Sequence, residues 1–147
     1  MKEIYGDIWE LIADADACCL TTNGSLVRMS QGRWRGVMGR GVARQARDRY
    51  PDLELRLGTH IGTYGNHVGI LHKNLIAFPV KHTWDQRADL KLIARSADEL
   101  ATLVRDRQWQ KVLLPRPGCG NGGLSWEHVR PLLVDRLPDS VSVVDLL

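Results

Sequence analysis

Four glycines in six positions, Gly118, Gly120, Gly122 and Gly123, follow the apolar run Val112-Leu113-Leu114 and precede Glu127-His128-Val129-Arg130, which reads as the first turns of a helix. The unit is strand, glycine loop, helix. Glycine admits positive φ and leaves main-chain N–H groups unobstructed by a Cβ. Successive N–H groups beside a helix N-terminus attract anions, because the amides point at the ligand and the helix dipole favours negative charge there. The loop from Gly118 through Cys119, Gly120, Asn121, Gly122 and Gly123 to Leu124 is therefore a candidate site for a phosphate or diphosphate. A second stretch, Gly36-Val37-Met38-Gly39-Arg40-Gly41-Val42-Ala43, has the same logic, so two loops can grip the two phosphates of a dinucleotide-like ligand from both sides. Neither is a P-loop, which requires Gly-Lys-Ser/Thr, and neither is a clean Rossmann fingerprint.

Other reactive residues are sparse. Cys18, Cys19 and Cys119 lack the paired spacing of a disulfide framework or a zinc site, and His82 and His128 have no partners at metal-ligand spacing, so no metal and no cofactor are expected. Cys18 and Cys19 read as members of a buried strand. Cys119, near a helix N-terminus that lowers thiol pKa, is a candidate nucleophile, with packing as the competing reading. Asn23 before Gly24 suits a turn cap, and a lone Lys81 after a strand is by itself an ordinary solvated residue.

The elements that must position these residues alternate. Ile4 to Trp9, Ala17 to Thr22, His67 to Leu71, Leu75 to Val80, Lys111 to Leu114 and Ser140 to Leu147 read as strands, with Pro79 placing a break near the end of the fourth. Gly41 to Tyr50 reads as a helix stopped by Pro51, the capping-box pattern Ser96-Ala97-Asp98-Glu99 starts another that runs to about Arg107, and a helix after Ser125 must tolerate Pro131. This alternation predicts an α/β fold, a three-layer α/β/α sandwich with a mixed central sheet, in a single domain over residues 1–147. In such sheets ligands bind beyond the carboxyl ends of the strands, where Asn23, the Gly36 loop, the segment after Val80 and the Gly118 loop can converge.

The net charge of +3 conceals an asymmetry: residues 28–56 carry eight arginines against Asp48, Asp52 and Glu54, a block suited either to a polyanion or to a solvated helix face. No apolar run is long enough for a membrane helix and the N-terminus has no signal-peptide character, so no membrane association and a cytoplasmic setting are expected, with the chain as a monomer.

Gly6-Asp7-Ile8, Ala15 to Asn23, the Gly41-Val42-Ala43 loop and the Gly118-Cys119-Gly120 loop with Trp126 resemble, in order and spacing, the macrodomains, which bind ADP-ribose. Within that family, Gly36 to Ala43, Phe78-Pro79-Val80-Lys81-His82-Thr83-Trp84 and Gly118 to Trp126 look most like the macrodomain of the DarG antitoxins, which remove ADP-ribose from thymidine in DNA. The resemblance implies that Asp7 accepts from the adenine amino group and Ile8 packs on the ring. It also implies that Gly36, Met38, Gly39, Gly41 and Val42, with Gly118, Cys119, Gly120, Asn121, Gly122, Gly123 and Leu124, surround the diphosphate and distal ribose. Asn23 would bind that ribose, and Lys81 would match the lysine used in catalysis, either as an amine that attacks the ring-opened sugar or as an ammonium that stabilises the leaving group.

Three departures stand beside it. Leu20 replaces an asparagine of many macrodomains, and Gly122 stands where a related eukaryotic glycohydrolase has a catalytic aspartate. The antitoxins also carry a toxin-neutralising region, whereas this chain reads as one domain. The reading is an ADP-ribosyl hydrolase acting on thymidine-linked ADP-ribose in DNA or glutamate-linked ADP-ribose on protein, with a non-catalytic ADP-ribose reader as the alternative. Finally, Gly24 to Arg35 lengthens the first loop relative to the antitoxin pattern. Its Arg28, Arg33, Trp34 and Arg35 are candidate contacts to single-stranded DNA, a further candidate partner, against the alternative of a hairpin packed on its own domain.

Overall fold

The strand Ala17–Asn23 (β2) is buried on both faces because its neighbours cover both edges and helices cover both sides, and its residues alternate between two separate cores. The computed structural model describes residues 1–146. In chain order the remaining elements are β1 (Lys2–Gly6), α1 (Ile8–Leu11), β3 (Leu26–Arg28), β4 (Trp34–Gly36), α2 (Gly41–Arg49), α3 (Leu53–Tyr64), β5 (Gly69–His72), β6 (Leu75–Lys81), α4 (Leu90–Arg107), β7 (Val112–Pro115), α5 (Trp126–Val134) and β8 (Val141–Leu146). The main sheet has the order β1-β8-β7-β2-β6-β5, parallel throughout except for the antiparallel edge strand β5.

Ala17 and Cys19 face one side with Phe78 and Val80 of β6, under Ile93, Ala97 and Leu100 of α4 and Val129 and Leu133 of α5. Cys18 and Leu20 face the other, under Ile8 of α1, Val42 and Ala46 of α2, and Leu53 and Leu57 of α3. The mixed sheet between two helical layers is the three-layer α/β/α sandwich expected from the alternation.

Several local readings change. Ile4 to Trp9 is not one strand: the chain leaves the sheet at Gly6, and the Asp7 carboxylate accepts from the Trp9 N–H at 2.9 Å, capping α1. Capping outweighs the β preference of Ile8 and Trp9. The helix assigned to start at Ser96 begins at Leu90, capped by Asp89, whose carboxylate accepts from the Lys91 N–H at 2.9 Å. Ser96 is instead a buried mid-helix residue whose hydroxyl donates to the Pro79 carbonyl at 2.7 Å. Pro79 does not break β6, because β5 pairs no further along β6 than Ala77 and the missing N–H has no ladder to serve there. The closing strand occupies Val141–Leu146; Leu147, included in the expected strand, lies outside the described residues.

The helix α3 was not expected, and it decides where the 24–35 insertion goes. That insertion is the hairpin β3–β4, and a Cβ at Gly58 of α3 would lie 2.4 Å from the Trp34 carbonyl oxygen and 2.7 Å from the Arg35 Cα. The hairpin backbone therefore rests directly on the helix. Gly58→Ala would gain about 1 kcal/mol of helix propensity but introduce about 3 kcal/mol of overpacking. A net loss of about 2 kcal/mol in a urea melt is expected; unchanged stability would show that the hairpin is not seated on α3.

Candidate functional site

Asn23, Lys81, Pro115 and Leu146 end, or nearly end, the parallel strands β2, β6, β7 and β8, and all four line one cleft of about 540 Å³. Its floor is the sheet's carboxyl edge and its two walls are the glycine loops. On one side stand Met38, Gly39, Gly41 and Val42; on the other, Gly118, Gly120, Asn121 and Gly122. Cβ positions at Gly39 and Gly120 would look into open space, so nothing screens those backbones. The walls approach each other where the Asn121 side-chain nitrogen lies 4.0 Å from a Gly41 Cβ position.

The amide directions follow from the turns. Gly118 has φ +75° and Gly123 φ +77°, and the loop is closed by Leu124 N–H donating to the Gly118 carbonyl at 2.9 Å and Gly123 N–H donating to the Gly120 carbonyl at 3.2 Å. Among the described residues, the N–H groups of Cys119, Gly120, Asn121 and Gly122 have no acceptor, nor do those of Gly41, Val42 and Ala43 at the start of α2. By contrast the Met38 N–H is committed to Glu54 at 2.8 Å, a carboxylate that also pairs with Arg35 at 3.5 Å. Two rows of unpartnered donors, in the two loops that wall one cleft, suit an anionic ligand.

Asn23 and Lys81 are register partners across β2 and β6, brought level by an irregularity beyond Thr22. The Asn23 amide is oriented from both ends: its nitrogen donates to the Val37 carbonyl at 3.0 Å and its oxygen accepts from the Ser25 N–H at 3.0 Å. One further donor and one acceptor direction remain on that amide. The Lys81 ammonium donates to the Trp84 carbonyl at 3.5 Å and has no carboxylate partner among the described residues. Its backbone carbonyl is fixed by Asn66 at 3.0 Å. Among the described residues no Asp or Glu lines the cleft, whereas Lys81 does.

Other expected site residues lie elsewhere. Ile8 is only 2% exposed and belongs to the core; neither it nor Asp7 lines the cleft, although Gly6, just before them, pairs with Leu146, which does. Gly36 is buried against Leu57, Cys119 and Leu124 are half-buried against the core behind the loop, and Gly123 is exposed and lines a smaller neighbouring cavity instead. Burial raises the Cys119 thiol pKa, with Arg116 only partly offsetting it, which favours the packing reading over the nucleophile. Cys18 is pushed up to about 12 by burial, in keeping with its packing role. His82 bonds Asp89 at 2.7 Å, and no group of metal-binding side chains occurs among the described residues.

In the hairpin, Val27 pairs with Arg35 and Arg28 with Trp34. Neighbouring residues on a strand face opposite ways, and Val27 and Arg35 line the cleft. Arg28 and Trp34 thus share the other face, with the guanidinium 6.0 Å from the ring centre and Trp34 46% exposed, while exposed Arg33 sits at the tip. Sequence reasoning did not assign Arg40, Trp84, Arg116 or Thr22 to the cleft. Trp84 was legible in the Phe-Pro-x-Lys-x-x-Trp spacing, whereas Thr22, 3% exposed with an unpartnered hydroxyl, had no signal in sequence.

No family model matches the chain. A protein named DNA ADP-ribosyl glycohydrolase from Mycobacterium tuberculosis is 33% identical over an alignment covering 74% of this chain and 35% of that protein. Its namesake from Thermus aquaticus is 26% identical, over 69% of this chain and 31% of that one. The chain thus spans about a third of the length of the curated relatives it matches. Among solved structures, the macrodomain of Mycobacterium tuberculosis DarG superposes with a TM-score of 0.77 at 28% identity, covering 97% of this chain and 95% of that one. The macrodomain of Thermus aquaticus DarG gives 0.73 at 23% identity, covering 99% and 95%. This chain thus has the macrodomain fold, and in sequence it is similar to the macrodomain of the DarG type.

Proposed function

We propose that the cleft binds ADP-ribose and that the protein is a hydrolase that releases it from a modified macromolecule, thymidine-linked ADP-ribose on DNA being the favoured substrate. The observation that carries this reading is the placement of Lys81 and Asn23 side by side at the strand ends, between two rows of unpartnered amides. Those amides, in the loops of Gly39 to Val42 and Gly118 to Gly122, would take the diphosphate, and the free positions of the Asn23 amide would take ribose hydroxyls. The names of the relatives, and a solved Thermosipho africanus DarTG complex with ADP-ribose that shares the fold at a TM-score of 0.69 and 20% identity, support the same ligand.

Cleavage at the anomeric carbon passes through an oxocarbenium-like state and requires a proton for the leaving group. With no Asp or Glu lining the cleft among the described residues, we route that proton through Lys81. The absence of an acid among the lining residues is also what favours the second reading, a module that binds ADP-ribose and leaves it attached. We place the activity in one domain over residues 1–147, acting as a monomer. A cytoplasmic setting is supported by three free thiols.

Calorimetry should show ADP-ribose binding in the micromolar range, about −7 to −9 kcal/mol, unchanged by a chelator. Absence of binding, or its loss with the chelator, would remove the reading.

Single-stranded DNA is proposed to reach the hairpin, where Arg33 and Trp34 are exposed. Combined Arg33→Ala and Trp34→Ala should slow release from a modified oligonucleotide by about tenfold, at 1–3 kcal/mol per stacked base, and flatten its salt dependence. Unaltered processing would leave the hairpin a purely structural element.

A further inference from the structure

Beyond Lys81 the chain turns, with Gln86 N–H donating to the Thr83 carbonyl at 3.2 Å, and leaves the Trp84 indole 54% exposed. A second cavity, of about 270 Å³, opens there. It shares Arg40, Lys81 and Trp84 with the cleft and is extended by Asp85 and Arg87. Three of these side chains are cations, and none has a carboxylate partner among the described residues. The one acid, Asp85, accepts a hydrogen bond from the Thr83 hydroxyl at 2.8 Å. Arg87 is aimed rather than free, since it donates to the Gly123 carbonyl at 2.6 Å, and a guanidinium so fixed keeps further N–H donors for a ligand. The Trp84 segment is tied to the hairpin as well, its N–H donating to the Ser25 hydroxyl at 2.9 Å.

We propose that this second cavity is the leaving-side subsite and that it takes single-stranded nucleic acid, with an unpaired base stacked on Trp84 and adjacent phosphates at Arg40 and Arg87. The inference rests on the hydrolase reading of the cleft. If Lys81 works at the anomeric carbon, whatever is attached to that carbon must extend into the cavity that shares Lys81. The excess of positive charge selects an anionic chain, and an exposed indole offers a π-face that matches a base and gains little from a carboxylate side chain. An acidic peptide satisfies the charge but leaves Trp84 unused.

The test fills the cleft first. Wild-type protein saturated with ADP-ribose is titrated with an unmodified, labelled thymidine oligonucleotide, alongside Trp84→Leu and Trp84→Phe. Binding should persist with ADP-ribose present, weaken about tenfold in Trp84→Leu, and stay close to wild type in Trp84→Phe, which keeps a stacking face. Arg87→Gln should lower the slope of log affinity against log salt by about 0.7, the value for one phosphate contact on a single strand. Release from the modified oligonucleotide should fall further in Trp84→Leu than release from a glutamate-modified peptide. Equal oligonucleotide affinity in wild type and Trp84→Leu, or parallel losses on peptide and DNA, overturns the subsite. ADP-ribose titrations of the same samples report folding and separate the two levels of the argument. Failure of the wild type to bind ADP-ribose overturns both readings, whereas ADP-ribose binding without the Trp84 response overturns the subsite alone.

Discussion

Lys81→Ala should reduce release of ADP-ribose by at least about a hundredfold, within the range general acid–base and electrostatic groups contribute, while affinity for free ADP-ribose stays within about tenfold, or 1.4 kcal/mol. The separation follows from the geometry. The anion donors are backbone amides of the two glycine loops, and Lys81 supplies none of them; it sits at the end of β6 with its ammonium directed to the Trp84 carbonyl. Among the described residues no Asp or Glu lines the cleft, and the acid of the adjoining cavity, Asp85, is engaged by the Thr83 hydroxyl at 2.8 Å. Lys81→Arg divides the two chemistries open to the residue. An arginine keeps the positive charge but has no amine that can attack a sugar carbon, so partial activity would favour electrostatic stabilisation and complete loss would favour attack. Equal loss of binding and turnover in Lys81→Ala would make it a binding residue only.

Gly122→Asp should not create a new catalytic acid; it should abolish most ADP-ribose binding. A Cβ at this position would lie 2.5 Å from the Gly118 carbonyl oxygen, 2.7 Å from the Gly118 Cα and 2.8 Å from the Ala88 Cβ. Two of those atoms are backbone, so no side-chain rotation relieves the contact. The same loop is held by Gly122 accepting from the Ala88 N–H at 3.0 Å and Gly118 accepting from the Leu124 N–H at 2.9 Å. Moving the chain to admit a Cβ breaks this frame and scatters the free amides. Affinity should fall by about a hundredfold or more, about 2.7 kcal/mol, and Gly122→Ala should lose nearly as much because the steric cause is shared. Wild-type affinity in Gly122→Ala would mean that the loop does not hold the ligand in this form.

The sandwich was legible because its signals are local. The two cores alternate along Ala17 to Leu20, and the paired glycine loops carry their own turn chemistry. What sequence did not reveal depended on contacts between distant segments. Ser96 to Glu99 has the form of a helix start, yet Ser96 is satisfied by Pro79, and Glu99 accepts from the Val68 N–H at 3.0 Å and bonds His67 at 2.6 Å, partners far away in the chain. Asp7 is the exception, a local miss: it falls inside a run that reads as a strand, and the capping bond it accepts from Trp9, two residues on, outweighs that run. The split of the hairpin, with Arg35 at the cleft and Arg28 and Trp34 turned away, depended on pairing register, which a slip of one residue would have reversed. Arg40 and Arg87 were anonymous among many arginines until the fold set them around Trp84.

The most direct measurement is the release of free ADP-ribose from a thymidine-modified single-stranded oligonucleotide by substoichiometric wild-type protein, followed over time by chromatography. The hydrolase reading predicts repeated turnover to completion, with the unmodified oligonucleotide as co-product. Saturable binding of the modified strand with the ADP-ribose still attached after prolonged incubation would contradict it and leave a reader in its place.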